Sequence, residues 1–162
     1  MPRRLYLTGT LAGRVLAVLL VSTACAVLAN TFGPARIAWV KDWSSHVETK
    51  AREMGIAVVG LEDMRGITRE GTSLVFDARP QEDYDAGHIP TAMMLPFMEV
   101  DAYFEQYQML LTPEQPIVVY CSGKECDESL LLAEFFKEQG LTNVLLFAGG
   151  YGEWEQAGES SE

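Results

Sequence analysis

The chain has 162 residues, 48% hydrophobic and 22% charged, which is room for one domain with a core plus a short extension. Its net charge of −11 is unevenly spread: residues 1–50 carry six Lys/Arg against Asp42 and Glu48, and residues 51–162 carry six against twenty-one Asp/Glu. An acidic globular part without a basic stripe argues against a nucleic-acid partner; three cysteines are too few for a disulfide-built scaffold, and His46 and His88, the two histidines, make no zinc-spaced set with them.

Residues 1–14 hold Arg3, Arg4 and Arg14 and no acid, and Val15 to Ala29 is uninterrupted by charge. At ~1.5 Å per residue this run reaches about 22 Å, short of a ~30 Å hydrocarbon layer. Leu11–Gly13 and Thr31–Phe32 close the gap, with Arg14 snorkelling to the headgroups. The basic flank predicts an N-in, single-pass anchor in the cell (inner) membrane, with the domain periplasmic or otherwise extracytoplasmic. A cleaved signal ending at Val27-Leu28-Ala29 and a lipoprotein acylated at Cys25 compete with it; length and flanks favour the retained anchor. Trp39 and Trp43, in the stretch that follows, suit either a membrane interface or packing on the domain.

Ser45 to Met54 reads as a short polar helix stopped by Gly55, Ile56 to Val59 as a strand, and Leu61 to Glu70 as a helix interrupted by Gly66. Ser73 to Asp77 is a second strand, turned by Ala78-Arg79-Pro80, with one or two helical turns over Gln81 to Ala86. Gly87-His88-Ile89-Pro90 is a turn and Ala92 to Leu95 a third strand. Val100 to Leu110 is expected as a helix with Tyr103, Tyr107 and Leu110 on one stripe. Ile117 to Tyr120 is a buried strand, Ser129 to Gln139 a helix with Leu131 and Phe135 on one face and Leu132 and Phe136 beside them, and Asn143 to Phe147 the last strand before Gly149-Gly150-Tyr151-Gly152. Strand and helix alternate at α/β spacing, which predicts a mainly parallel sheet with helices on both faces. The working end of such a sheet is its C-terminal edge, where Asp77–Arg79, Cys121–Cys126 and Ala148–Tyr151 meet.

Cys121 stands where a strand ends and a tight loop enters a helix. Inward amides of such a loop and the helix N-terminus favour a thiolate, so Cys121 is the candidate nucleophile. A buried structural cysteine is the alternative.

Three segments together resemble the rhodanese family: Asp77-Ala78-Arg79 with Tyr84, Gly87-His88-Ile89-Pro90 and Ala92; Tyr120-Cys121-Ser122-Gly123-Lys124-Glu125-Cys126; and Asn143-Val144 with Gly149-Gly150 and Trp154. The likeness covers residues 56–158 and, with the N-terminal segment and Trp43, is similar to the membrane-anchored single-domain members. It implies a five-stranded rhodanese-like sheet and sulfur transfer through a persulfide on Cys121, without cofactor or metal. It implies a small sulfur donor, a thiol or protein acceptor, and substrate-binding roles for Ser122, Gly123, Lys124, Glu125, Cys126 and Arg79. For Asp77 and Arg79, holding the strand end and turn is the favoured role, with a direct substrate role for Arg79 the minority one, and His88 is expected to fix its own turn. The resulting layout is an anchor at 1–32, a juxtamembrane linker at 33–55, the domain at 56–158 and a tail at 159–162. An anchored domain is also expected to meet a membrane-protein partner.

Thr91 stands where the family usually has Gly, Asp83 where it usually has Glu, and Cys126 where many single-domain members have Arg. Lys124 is left as the loop's one cation, crowded by Glu125, Asp127 and Glu128. A dianion such as thiosulfate meets a negative rim there, so a persulfide or polysulfide donor is expected. Cys126 admits a thiol–disulfide redox role with Cys121, and a docking module for a membrane partner is the non-catalytic alternative. Phosphatase-type chemistry needs Arg at the sixth position after the Cys; Asp127 occupies it and repels a phosphoryl group.

Overall fold

The computed structural model describes residues 10–32 and 46–162. The expectations for Arg3, Arg4, Trp39 and Trp43 lie outside these residues. The described residues fall into two units, an N-terminal helix and an α/β domain.

The N-terminal helix, α1, runs Leu11–Phe32, with no buried residue and a mean hydropathy of 2.2 in its most apolar window. Its hydroxyls turn back on the helix: Thr23 Oγ1 donates to Leu19 O at 2.8 Å and Thr31 Oγ1 to Val27 O at 2.7 Å. Polar groups satisfied inside the helix leave an outer surface that hydrocarbon tolerates. By length and composition α1 is able to span a bilayer, a property that signal sequences share.

The domain is a five-stranded, wholly parallel sheet in the order β1-β5-β4-β2-β3, with β1 Ala57–Val59, β2 Leu74–Asp77, β3 Met93–Met94, β4 Ile117–Tyr120 and β5 Val144–Phe147. The central strand β4 is buried throughout, as a strand covered on both faces must be. Its residues alternate between two cores: Ile117 and Val119 join one, Val118 and Tyr120 the other. Helices α2 (His46–Glu53) and α6 (Glu128–Glu138) supply Val47, Ala51, Leu132 and Phe136 to the first core. Helices α3 (Leu61–Glu70) and α7 (Gly150–Gln156) supply Met64 and Trp154 to the second, and the short α4 (Gln81–Ala86) lies between β2 and β3 in the chain. The expected sheet with helices on both faces is therefore present.

Three local expectations need correction. The helix at 46–53, read from its polarity as part of a linker, buries Val47 and Ala51 completely. Within α6 the buried face carries Leu130, Leu132, Ala133 and Phe136, and Leu131 is exposed. The helix expected over 100–110 is not continuous: a single α-helical turn, α5 (Val100–Tyr103), lies between 3-10 turns at Phe97–Glu99 and Phe104–Leu110. Winding at three residues per turn rotates the stripe. Tyr103, Phe104, Tyr107 and Leu111 pack on the core, and Leu110 is exposed.

Register brings the working edge together. Asp77, Tyr120 and Phe147 are level across β2, β4 and β5, so the segments that leave these strands emerge side by side.

Candidate active site

Cys121 follows β4 directly, and the loop to α6 spans seven residues, Cys121 to Asp127. Among the described residues, no backbone carbonyl accepts from the N–H groups of Ser122, Gly123, Lys124 or Glu125, while Cys126 N–H donates to Gly123 O at 3.0 Å. Uncommitted donors beside a helix N-terminus are an anion-binding resource.

The first turn of α7 seats the loop. Tyr151 N–H donates to Cys121 O at 2.8 Å and Gly152 N–H to Ser122 O at 2.9 Å. Gly150 has φ +62°, and a Cβ there would lie 2.4 Å from Cys121 O and 2.6 Å from Gly123 N. Only glycine fits such an approach. Between these two segments lies a cavity of about 360 Å³, lined by Ser122, Gly123 and Lys124 on one side and by Gly149, Gly152, Glu153 and Gln156 on the other. Lys124 and Glu125 are exposed, and Gly123 and Cys126 are half-buried.

The cysteine itself departs from expectation. Cys121 is 3% exposed, and its sulfur is bonded to that of Cys126 across a Cα–Cα separation of 6.1 Å. Its other polar neighbours are Glu128 Oε2 at 3.6 Å and Ser122 Oγ at 3.9 Å. The sequence placed an accessible thiol among amides; the structure has an enclosed, oxidised sulfur beside a carboxylate. Glu128 Oε2 also touches Cys126 Sγ, so one carboxylate reaches both sulfurs.

The acids at the start of α6 diverge. Asp127 turns to α2, pairing with Lys50 Nζ at 3.0 Å and approaching His46 Nε2 at 3.6 Å. It does not crowd Lys124 as expected. Glu128 takes the other direction, toward the sulfurs, and sequence reasoning treated it only as rim charge. Its place two residues after a cysteine in the first helical turn was the available signal.

Arg79, expected among the substrate-binding residues, is buried at 5% and does not line the cavity. Its Nη2 reaches Asp77 Oδ2 at 2.6 Å and donates to Gly87 O at 2.7 Å, and its guanidinium lies 4.2 Å from the centre of the Tyr151 ring. Burial pulls the guanidinium pKa down, but the hydrogen bond and charge of Asp77 outweigh it and hold it above the ordinary value. Arg79 thus ties the end of β2 to the Gly87 turn and to the closing segment. Tyr120, buried behind it, has its phenol pushed far up by burial and then by the charge of Asp77. His88 stacks on Tyr84 with ring centres 3.8 Å apart and its Nδ1 3.1 Å from Tyr84 O. The turn-fixing role expected of His88 agrees with these contacts.

The comparisons bear on the same segments. The profile described as "Rhodanese-like domain" matches residues 61–157. The human thiosulfate:glutathione sulfurtransferase is 30% identical over 111 residues, covering 62% of this chain and 94% of the relative. Thiosulfate sulfurtransferase GlpE from Coxiella burnetii is 29% identical over 82 residues, 51% of this chain and 71% of the relative. A solved human single-domain sulfurtransferase superposes with a TM-score of 0.54 at 26% identity, covering 63% of this chain and 97% of that structure. With the profile taking in every segment of the working edge, from Asp77 through the Cys121 loop to Trp154, the chain belongs to the rhodanese-like domain family.

Proposed function

We propose that the domain is a sulfurtransferase that carries sulfane sulfur as a persulfide on Cys121. The observation that carries this reading is the placement of Cys121 on a strand-to-helix loop whose amides at 122–125 are uncommitted, in a chain of this family. The loop must first be reduced. The Cys121 thiolate then attacks the outer sulfur of a donor R–S–SH; the S–S bond breaks, R–S⁻ leaves with the electron pair and takes up a proton, and the persulfide forms. An acceptor thiolate attacks the outer sulfur in turn. The amides of Ser122 to Glu125 offer the sulfur main-chain donors, which stabilise the anionic forms without a general base, and Cys126 closes the loop through its own N–H on Gly123 O. Arg79 acts as a positioning residue.

The donor is a persulfide or polysulfide in preference to thiosulfate. A carboxylate 3.6 Å from Cys121 Sγ opposes the approach of a dianion. Relatives whose names contain thiosulfate motivate the comparison but do not decide it for this loop. In this reading the domain is anchored to a membrane, N-terminus inside and domain extracytoplasmic, next to a membrane-protein partner; the length and apolar composition of α1 support the anchor. Protease accessibility of the domain in intact and permeabilised cells tests this placement, and degradation only after permeabilisation of the cell membrane would refute it.

The test of the function is mass spectrometry of the pre-reduced chain after exposure to cysteine persulfide, polysulfide or thiosulfate. Cys126→Ser is the receiving form and Cys121→Ser the control. A gain of about 32 Da, one sulfur, on Cys121 is expected with the first two donors. No gain with any donor overturns the reading. The disulfide favours a second reading, a thiol–disulfide protein built on the same two cysteines.

A further inference from the structure

The two sulfurs bonded in this structure are the sulfur proposed to carry the persulfide and a sulfur five residues on, and Glu128 Oε2 reaches both. We propose that Cys126 is a built-in acceptor that discharges the Cys121 persulfide as free sulfide, with Glu128 taking the proton, so that the disulfide is an intermediate of the cycle. The proposal rests on the sulfurtransferase reading above.

Three observations support it. A disulfide is formed within the loop's own backbone, at a Cα–Cα separation inside the ordinary range for such bonds, so no opening of the fold is needed. Cys126 is only half-buried, whereas Cys121 is enclosed; the second thiol is the one that an external reductant meets first. The carboxylate that reaches both sulfurs belongs to the first turn of α6, where the helix holds it in place.

The step balances. The Cys126 thiol gives its proton to the Glu128 carboxylate, and its sulfur attacks the inner sulfur of Cys121–S–SH. The bond between inner and outer sulfur breaks, and the outer sulfur leaves as HS⁻ with the electron pair, taking a proton from Glu128 or water. Two cysteine sulfurs are oxidised to a disulfide, and one sulfane sulfur is reduced to sulfide. Return to the start requires an external dithiol, which attacks Cys126, forms a mixed disulfide and closes to its own disulfide, restoring both cysteines. The partner class is therefore a dithiol reductant, small or protein-borne. The product is sulfide, where simple transfer would give a persulfide on an acceptor.

The experiment uses the full chain, reduced and freed of reductant, mixed anaerobically with less than one equivalent of cysteine persulfide and no other acceptor. Wild type is expected to release one sulfide per persulfide consumed and to lose about 2 Da as the disulfide forms. Cys126→Ser is expected to keep a gain of about 32 Da on Cys121 and to release no more sulfide than Cys121→Ser. If wild type holds its added sulfur as long as Cys126→Ser does, the resolving role is overturned and the carrier role of Cys121 stands. If neither protein gains sulfur and wild type releases none, both fall.

Discussion

A Cβ on Gly150 would lie 2.4 Å from the carbonyl oxygen of Cys121, well inside the 3.0 Å that real Cβ atoms essentially never cross. The closing turn and the cysteine loop are thus in backbone contact, and the loop's shape depends on a residue twenty-nine positions away in sequence. Gly150→Ala adds a methyl against backbone and forces a side chain into the left-handed region, φ +62°. Overpacking and backbone strain together are expected to cost about 2–4 kcal/mol. Urea unfolding measures the cost, and mass spectrometry of persulfide loading measures the loop; unchanged stability with unchanged loading would show that the turn does not shape the site.

The buried pair of Asp77 and Arg79 gives a test of scaffold against substrate role. Asp77 is fully buried and Arg79 nearly so, with Arg79 Nη2 and Nε both on the carboxylate. Asp77→Asn leaves a buried guanidinium without its counter-charge, an expected loss of about 3–5 kcal/mol. Arg79→Lys keeps the charge but loses the fork and the contact with Tyr151, and is expected to lose about 1–2 kcal/mol. Persulfide loading per folded molecule should hold in Arg79→Lys, because Arg79 does not line the cavity. A stable Arg79→Lys protein with raised KM for the donor would instead return Arg79 to the substrate.

The sheet was legible because its signals are local and redundant. Ile117 to Tyr120 had to be a two-faced buried strand, and the alternation of helices around it left little choice of topology. The cysteine loop was legible for the same reason, being the connection that the strand and helix leave over. Side-chain direction was not. Asp127 and Glu128 are adjacent acids in sequence, yet one is drawn to Lys50 on α2 and the other to the sulfurs. That choice depends on α2, whose polar sequence concealed two core positions, Val47 and Ala51, behind six polar or charged residues. The helix expected over 100–110 breaks up because a period of 3.6 does not hold where the backbone winds more tightly.

Thr91 departs from the family's usual glycine, and the structure shows what the departure costs. Its φ is +69°, and no other described residue except glycine has a positive φ. A β-branched side chain in that region is strained. Thr91 is exposed, and its N–H, which reaches Glu162 Oε2 at 3.3 Å, belongs to the backbone and survives substitution. Relief of strain outweighs the added freedom of glycine in the unfolded chain, so Thr91→Gly is expected to stabilise by about 1 kcal/mol. Thermal unfolding reads the change as a higher Tm. A lower Tm would mean that the threonine side chain contributes something the strain does not cancel.

Glu128 separates donor selection from sulfur release, because the proposed mechanism gives its charge opposite effects on the two. As a fixed negative charge it opposes thiosulfate; a unit charge against a dianion ~8 Å away in a water-like medium amounts to about 1 kcal/mol. Glu128→Gln is therefore expected to raise kcat/KM for thiosulfate about 5-fold and that for a singly charged persulfide only about 2-fold. As a proton acceptor the carboxylate speeds attack by Cys126, and its loss is expected to slow acceptor-free sulfide release by roughly 100-fold. Rising pH should restore the variant's rate, since a Cys126 already ionised needs no acceptor. Steady-state kinetics with the two donors and a pH series of single-turnover sulfide release read the two effects separately. A variant that gains on thiosulfate but releases sulfide at the wild-type rate at every pH would keep Glu128 as a charge filter and remove it from the proton path.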